Sequence, residues 1–346
     1  MADFISFQPS DFFNTKLYTG NASTQSITGV GFQPDFTWIK RRDGTYNHYA
    51  FDAPRGAGWY IKPNQTAAQV DGSADHLTAW TSDGFNLGST DGVNASGDTF
   101  ASWNWKGGTT SGITTNGSTT ITPSAYSFSQ TAGCSIIKYT GNGTAGAKLA
   151  HGLGAKPDFI LIKGLDATTD WDVYHSGIGA TQWLELNSTG SVSTSTNRWN
   201  DTEPDSVNIT LGDSTHVNDS SDFIAYCFSA KRGFSSFGTF TGNASATNGP
   251  FVYTGFRPGY VLVKVLNYTA AWIMFDSKRL GYNLQNKVFT PNTNSVEEAA
   301  WMSDIYSNGF KPFSSDPAIN GSYNYIYMSF AEFPIVSSND VPVVAR

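Results

Sequence analysis

Three stretches of this chain are nearly the same: PDFTWIKRR from Pro34, PDFILIKGL from Pro157 and PGYVLVKVL from Pro258. In each stretch a lysine follows the proline by six residues: Lys40, Lys163 and Lys264. Twelve residues further on, each copy has the polar member of an aromatic–polar pair: Phe51-Asp52, Tyr174-His175 and Phe275-Asp276. Equal spacings in three copies indicate an internal repeat.

Other short matches extend the repeat in both directions. YTGN at Tyr18 returns as YTGN at Tyr139 and as FTGN at Phe240, and each copy ends on an aromatic-rich segment: TFASWNW, FIAYCF and YIYMSF. The units predicted from these matches cover residues 13–106, 133–231 and 237–334.

The composition favours strands over helices. Gly, Ser, Thr and Asn are abundant, and these residues weaken helices and occur often in turns. FTWIKRR and FILIKGL are apolar at most positions, as in a strand covered on both faces. Turn signals such as Thr-Gly-Asn, Asp-Gly and Asn-Gly recur at short intervals along the chain. The sequence therefore predicts an all-β protein of three tandem β-sandwich units, jelly-roll-like and of one repeated fold.

The segments between and around the units differ in character. Residues 1–12 form an N-terminal lead, and residues 107–132 form a Gly/Thr/Ser-rich linker that is expected to be flexible or extended along a surface. Only GFSSF, residues 233–237, joins the second unit to the third, which predicts a close and fixed relation. Residues 335–346 are predicted to be an extended C-terminal tail able to add to a neighbour's sheet edge.

Charge and hydropathy argue against two classes of partner. The net charge is −7 and no basic face is visible, which argues against nucleic-acid binding. The longest basic run, Lys40-Arg41-Arg42, is interpreted as a solvated strand end. No apolar run approaches the ~20 residues of a membrane span, and the N-terminus lacks the pattern of a signal peptide. Synthesis in a cytoplasm and no membrane insertion are therefore expected.

No motif for catalysis, cofactors or metals is present. The five histidines are scattered, and no nucleophile elbow, phosphate-binding loop or zinc spacing occurs. The acidic loop DTEPDS at Asp201, with Asp213 nearby, is interpreted as solvated, with calcium binding as the alternative. Glu297-Glu298 is predicted to lie in one helical turn capped by Asn294 or Ser295. Cys134 and Cys227 are predicted to be buried free thiols, with a disulfide as the alternative. We therefore expect no catalytic residue, no cofactor and no metal.

Two sets of residues are candidates for specific roles. Asp52–Arg55 and Asp276–Arg279 are predicted to be structural clamps across a turn, a motif absent from the second unit. Trp38, Trp103 and Trp105 are expected in the core. Five other tryptophans lie among polar residues in the variable middle of each unit. They are either candidate contacts for a glycan or a partner, or rings that close one end of each sandwich or pack one unit against another: Trp59, Trp80, Trp183, Trp199 and Trp301.

The unit as a whole resembles a repeat in virion proteins of marine tailed phages, including cyanophages. The resemblance rests on YTGN, GFQPDFTWIKRR, FDAPRG and VNASGDTFASWNWKGG in the first unit, and on GFSSFGTFTGN, FVYTGFRPGYVLVK and YIYMSFAEFP in the third. It covers nearly the whole chain and implies a structural or tail-fibre-like protein located in the virion. The second unit lacks both F-D-x-x-R and S-D-G-F, whose counterparts the other two units share.

These observations lead to a non-enzymatic surface protein of a phage virion. The leading hypothesis is a tail-associated fibre or adhesin that contacts host surface glycans. The alternative is a capsid decoration protein, because three fused units packed around a pseudo-threefold axis would fill the place of a trimer. The hypothesis from another class is a glycan-degrading tail enzyme, for which Asp52 and Asp276 are the only repeated carboxylates. Expected partners are other virion proteins, and an oligomer of undetermined order is expected.

Overall fold

The computed structural model describes residues 7–332. Strands contain 41% of the residues and helices 5%. The strands form six antiparallel sheets, and no helix of the described part reaches seven residues. The prediction of a mainly β protein with little helix is confirmed.

The first unit follows a short 3-10 helix, Pro9–Asp11. Its elements are β1 (Phe13–Thr19), β2 (Gln25–Ile27), β3 (Phe36–Arg41), β4 (Tyr49–Asp52), β5 (Trp59–Ile61), β6 (Val70–Asp71), β7 (Leu77–Thr81), β8 (Gly84–Leu87), α1 (Asp91–Asn94) and β9 (Thr99–Trp105). A six-stranded inner sheet has the order β1-β9-β3-β4-β5-β6, and a three-stranded outer sheet has the order β2-β8-β7.

The second unit is built in a similar way. Its elements are β10 (Ala125–Ser129), β11 (Cys134–Thr140), β12 (Ala147–Ala150), β13 (Phe159–Gly164), β14 (Trp171–His175), β15 (Gln182–Glu185), β16 (Ser193–Thr194), α2 (Thr196–Trp199), β17 (Asn208–Leu211) and β18 (Asp222–Phe228). The inner sheet has the order β10-β11-β18-β13-β14-β15-β16, and β12 pairs with β17 in the outer sheet.

The third unit has two sheets of four strands. Its elements are β19 (Ser235–Thr241), β20 (Val252–Tyr253), β21 (Pro258–Val265), β22 (Ile273–Asp276), α3 (Ser277–Leu280), β23 (Gln285–Val288), β24 (Glu298–Tyr306), β25 (Gly309–Pro312) and β26 (Asn324–Ala331). The inner order is β19-β26-β21-β22 and the outer order is β20-β25-β24-β23.

One strand order recurs in the three inner sheets. The first strand of each unit pairs with the last, which we call the closing strand. The closing strand also pairs with the strand that carries the repeated lysine, and that strand pairs with the one that ends at position 52, 175 or 276. The three orders are β1-β9-β3-β4, β11-β18-β13-β14 and β19-β26-β21-β22. The register also repeats, because the closing strand aligns Trp105 with Phe36, Phe228 with Phe159, and Phe330 with Tyr260. The sequence repeat therefore has a counterpart in strand pairing.

The central strands of each inner sheet are buried on both faces, which explains their continuous apolar runs. One face packs on residues of the outer sheet of the same unit, as Ile39 and Phe51 do with Leu77 and Phe85. The other face contributes to a central core that contains residues from all three units. The units are thus joined through one hydrophobic core.

The central core is rich in aromatic rings. Phe36, Phe159 and Tyr260 lie in it at matching positions and are 3%, 2% and 1% exposed. The Phe36 ring lies 4.3 Å from that of Tyr226, and the Phe13 ring lies 5.2 Å from that of Phe330. These contacts connect the first unit to the second and to the third.

Truncating one of these rings tests the register of the central core. Phe159→Ala is expected to lower the free energy of unfolding by about 3–5 kcal/mol, because it removes a buried ring and leaves a cavity. Urea unfolding of the two proteins measures the difference. A loss below about 1 kcal/mol would show that Phe159 does not lie in a packed core.

The structure places strands in both segments that were expected to join the units. The expected linker 107–132 contains β10, which pairs with β11 of the second unit, so the segment is extended along a sheet edge rather than free. The expected link 233–237 largely belongs to β19. The tail 335–346 and residues 1–6 of the lead lie outside the described residues.

Both cysteines are free and buried, as expected. They lie on adjacent strands, but Cys134 faces the central core whereas Cys227 faces the core between the two sheets of its own unit. Because their side chains point to opposite faces of one sheet, a disulfide between them does not form.

Candidate functional site

Buried polar side chains connect the three units at three junctions. The last residue of β4, β14 and β22 reaches the closing strand of the next unit in each case. Asp52 accepts a hydrogen bond from the Tyr226 hydroxyl (2.7 Å), and Asp276 accepts one from Trp103 Nε1 (3.1 Å). At the remaining junction, His175 Nε2 lies 3.1 Å from the Tyr327 carbonyl oxygen. The contacts run from the first unit to the second, the second to the third and the third to the first.

The registers show that these junctions are equivalent. Trp103, Tyr226 and Met328 each precede by two residues the aromatic residue that opposes Phe36, Phe159 or Tyr260. Where the closing strand offers an N–H or O–H, the preceding unit has an aspartate. Where it offers Met328, which has no donor, the preceding unit has His175, which donates to a backbone carbonyl instead. Each polar residue therefore matches the partner that it meets.

The predicted Asp–Arg pairs are present at two of the three junctions. Arg55 donates from its backbone N to Asp52 Oδ1 (3.0 Å), from Nε to Asp52 Oδ2 (2.6 Å) and from Nη2 to the Ala50 carbonyl (3.0 Å). Arg279 and Asp276 repeat this arrangement, again with a 2.6 Å Nε contact. Both pairs are buried, with side-chain exposures of 1% or less. The turn clamps are thus also part of the inter-unit contacts.

The second unit has a different ion pair that the sequence analysis missed. Arg198 of α2 donates from Nε to Asp172 Oδ1 (2.6 Å), and its guanidinium lies over the Trp183 ring at 4.3 Å. His216 Nδ1 lies 3.3 Å from Asp172 Oδ2, and its hydrogen bond to Asp172 raises its pKa. The three residues lie far apart in the sequence, so no local motif marks them.

Backbone hydrogen bonds also connect neighbouring units. Gln69 N donates to the Leu165 carbonyl (3.0 Å), Val192 N to the Leu266 carbonyl (2.8 Å) and Glu297 N to the Arg42 carbonyl (2.9 Å). Each acceptor lies two residues after the repeated lysine of its unit. The same main-chain contact therefore recurs at all three junctions.

The repeated lysines lie near these junctions and are buried, including Lys40, which was expected in a solvated strand end. Lys40, Lys163 and Lys264 are 0% exposed, and burial lowers their pKa to about 7, 8 and 8. Each ammonium donates to backbone carbonyls, and Lys264 bonds Thr189 O of the second unit (3.0 Å) as well as Ala270 O (2.6 Å). Lys264 thus links the third unit to the second, whereas Lys40 and Lys163 bond atoms of their own unit.

Two expectations about charged residues at the third junction are wrong. The run Lys40-Arg41-Arg42 is not a solvated end, because Lys40 is buried and Arg42 donates to both Glu297 oxygens at 3.0 and 3.1 Å. Glu297 and Glu298 are not in a helical turn: Glu298 begins β24, and Glu297 also accepts from Arg279 Nη1 (3.1 Å). A cross-unit partner for Glu297 cannot be inferred from its local sequence.

The candidate glycan-contact tryptophans are not freely exposed. Trp199 is 1% exposed, so its ring cannot stack on a glycan. The other four, Trp59, Trp80, Trp183 and Trp301, are partly buried. Trp38, Trp103 and Trp105 lie in the central core as expected.

A different set of aromatic residues is exposed on the outer sheet of the third unit. Tyr253 and Tyr306, on β20 and β24, lie on either side of Gly309 of β25 and are 66% and 38% exposed. Residues directly opposite one another in a sheet point to the same face. The centroid of the Phe251 ring lies 5.7 Å from that of the Tyr306 ring. A side chain at Gly309 would collide with the Phe251 ring. We call Phe251, Tyr253 and Tyr306 the aromatic platform.

No metal or membrane feature is seen in the described part. Within residues 7–332, no group of three or more His, Cys, Asp or Glu side chains is arranged to hold a metal ion. In the acidic loop, Glu203 instead bonds Lys156 and the Tyr174 hydroxyl. No helix in this range is long and apolar enough to cross a membrane.

The chain belongs to a family defined by a domain of unknown function, DUF7483, whose model matches residues 8–334. The matched range includes all three units and the junctions between them. No curated protein and no solved structure matches the chain.

Proposed function

We propose that this chain is a non-enzymatic structural protein of a phage particle, carried on the tail as an adhesin that contacts host surface glycans. Its body is three jelly-roll-like β-sandwiches arranged as a single-chain pseudo-trimer. The observation that carries the structural part is the central core, to which every unit gives one face of its inner sheet. The phage assignment rests on the resemblance of the repeated unit to marine phage virion proteins.

The aromatic platform supports the adhesin role. Rings that combine an apolar face with a polar edge suit the faces and hydroxyls of sugars. Of the eight large apolar side chains exposed among residues 7–332, seven lie in the third unit, and only Val70 lies elsewhere. A body with threefold character thus has one unit whose surface differs from that of the other two.

The enzyme hypothesis receives no support from its candidate carboxylates. Asp52 and Asp276 are 0% exposed, and both bond a buried arginine and a ring of the next unit. A polysaccharide cannot reach them without separation of the units.

A capsid decoration role is the second candidate. It is favoured by the pseudo-threefold ring of junctions, because one such chain would fill a threefold position on a capsid. Immunogold labelling of intact particles with antibody to the chain distinguishes the two roles. Label on the tail supports the adhesin, label over the head supports decoration, and unlabelled particles that also lack the chain by mass spectrometry would overturn a virion role.

Removal of the aromatic platform tests glycan contact. The double variant Tyr253→Ala, Tyr306→Ala is expected to weaken binding to host-cell polysaccharide at least tenfold, since stacking of both rings is lost. Binding is measured with immobilised polysaccharide, and Val70→Ala in the first unit is the matched control. Equal binding by all three proteins would contradict the assignment of this surface.

A further inference from the structure

We propose that the glycan bound by this protein is a neutral, extended polysaccharide chain that lies across the strands of the outer sheet of the third unit and contacts Tyr282 as well as the aromatic platform. This inference rests on the glycan contact proposed above and names the class of glycan. Three features lead to it: the rings lie in one row, the row continues beyond β24, and the charges beside it are balanced.

The rings of the platform lie in one row across three adjacent strands. Tyr253 of β20 and Tyr306 of β24 both lie opposite Gly309 of β25. The Phe251 ring lies over Gly309, 2.8 Å from the position that a Cβ would take there, and so fills the place between the two tyrosines. It stands at 77° to the Tyr306 ring. The row therefore offers successive contacts, and not one flat surface, to a ligand that runs along it.

The row continues on the far side of β24. Asn283 lies just before β23, which pairs with β24 on the edge opposite β25. The Asn283 side chain bonds both backbone groups of Ile305, the residue before Tyr306, with Ile305 N donating to Oδ1 (2.9 Å) and Nδ2 donating to Ile305 O (2.8 Å). Tyr282, next to Asn283 in the sequence, is 70% exposed, more than any other large apolar side chain of the described part.

The length of the row excludes a ligand of one sugar. Neighbouring strands lie about 4.8 Å apart, so a row that runs from β20 to Tyr282 spans about 14 Å. A single pyranose ring cannot contact both ends of such a row. An extended chain of several sugars can, with one sugar after another against successive rings.

The charges beside the row are balanced. Asp304 of β24 and Lys311 of β25 lie opposite each other, two residues from the row along their strands and therefore on the same face. Lys311 Nζ bonds Asn248 Oδ1 (2.7 Å), and the Tyr306 hydroxyl bonds Asp304 Oδ2 (3.3 Å). These groups can hydrogen bond sugar hydroxyls, but an ammonium opposite a carboxylate gives no net attraction to a charged chain. A neutral polysaccharide therefore fits this surface better than a uronate or sulfated one.

The shape of the row selects the linkage. Sugars joined by β-1,4 linkages form extended ribbons with apolar ring faces, whereas α-1,4-linked glucose winds into a helix. Apolar ring faces suit the faces of tyrosine and phenylalanine. The class of glycan that fits the row is therefore a neutral β-1,4-linked chain of several sugars.

Binding of defined oligosaccharides to the full chain tests the class of glycan. Calorimetry is carried out with cellohexaose, mannohexaose and xylohexaose, with the disaccharide of each sugar, and with the α-linked maltohexaose. At least one β-linked hexasaccharide is expected to bind about tenfold or more tightly than its disaccharide, and more tightly than maltohexaose. No binding by any β-linked hexasaccharide, no gain with length, or equal binding of maltohexaose would overturn the inference.

The host-cell polysaccharide assay separates this inference from the proposed function. If the double variant Tyr253→Ala, Tyr306→Ala loses binding to that polysaccharide while the original chain binds no β-linked hexasaccharide, the glycan contact stands and this inference fails. If the double variant binds the polysaccharide as well as the original chain does, the glycan contact itself fails.

Tyr282→Ala tests the length of the row. The variant is expected to bind the tightest hexasaccharide about tenfold more weakly, because one ring contact is lost, and to bind its disaccharide unchanged, because two sugars fit on the platform alone. Tyr268→Ala is the matched control, since Tyr268 is also exposed (43%) but lies in the loop between β21 and β22, where it stacks on Tyr323. The control is expected to change neither affinity. Equal affinity of Tyr282→Ala and the original chain for the hexasaccharide would overturn the inference.

Discussion

Asp52→Ala is expected to lower the free energy of unfolding by about 3–5 kcal/mol, because the Arg55 guanidinium would remain buried without its counter-ion. The Tyr226 hydroxyl of the second unit would lose its acceptor as well. Chemical denaturation followed by tryptophan fluorescence measures the loss. Asp43→Ala is the matched control, since Asp43 also pairs with an arginine, Arg41, but its side chain is 40% exposed. The control is expected to lose about 1 kcal/mol or less.

A double-mutant cycle separates the clamp from the contact between units. Tyr226→Phe removes only the hydroxyl, and its coupling to Asp52→Ala is expected to be about 1 kcal/mol or more, because the hydrogen bond is to a buried carboxylate. Replacing both ion-pair partners, Asp52→Leu with Arg55→Met, is expected to cost less than Asp52→Ala alone. Additive effects of the Asp52 and Tyr226 changes would show that the two units do not meet at this point.

Acidification is expected to destabilise the protein between about pH 6.5 and pH 4. Burial lowers the pKa of His175 and of His151 to about 4, whereas the unfolded chain titrates near 6.5. The unfolded state therefore binds more protons in this window, and stability falls as the pH is lowered. Each histidine accounts for about 3 kcal/mol when the window is fully crossed. His216, whose pKa is raised, acts in the opposite direction, because its contribution is present at low pH and lost as the pH rises.

The variant His175→Gln isolates the contribution of one junction. Glutamine has no titration in this range and can still donate to the Tyr327 carbonyl, as His175 Nε2 does. Unfolding free energies measured in urea at pH 7 and pH 4.5 are expected to differ by about 2–3 kcal/mol less for the variant than for the original chain. An equal difference in both proteins would show that His175 does not titrate with a lowered pKa.

The repeat made much of the fold predictable from the sequence. Equal spacings around Lys40, Lys163 and Lys264 located the central strands, and the apolar runs indicated that both faces are covered. The sequence did not reveal what covers the inner face, because Phe36 packs against Tyr226, which belongs to a different unit. Contacts between positions so distant along the chain have no local signal, so the repeat alone predicts self-contained sandwiches.

The junction residues were predictable in type but not in role. The i, i+3 spacing of Asp52 and Arg55 predicts a local ion pair, and the pair is present. Its burial and its third partner follow from the packing of the units. Lys40 was expected in a solvated strand end because an ammonium is rarely buried, but backbone carbonyls at all three lysine sites compensate for that burial. The departure of the second unit from the motif is explained by Met328, which offers no donor to an aspartate.

The central claim is that three units surround one core in a compact ring rather than form a string. Small-angle X-ray scattering of the monomer fraction from size exclusion tests it most directly. A compact chain of 346 residues is expected to have a radius of gyration of about 20 Å. Three separate units in a row, each of about 13 Å, would give roughly 30 Å. The smaller radius with a single-peaked distance distribution is the expected result, and the larger radius with a long shoulder in that distribution would contradict the account.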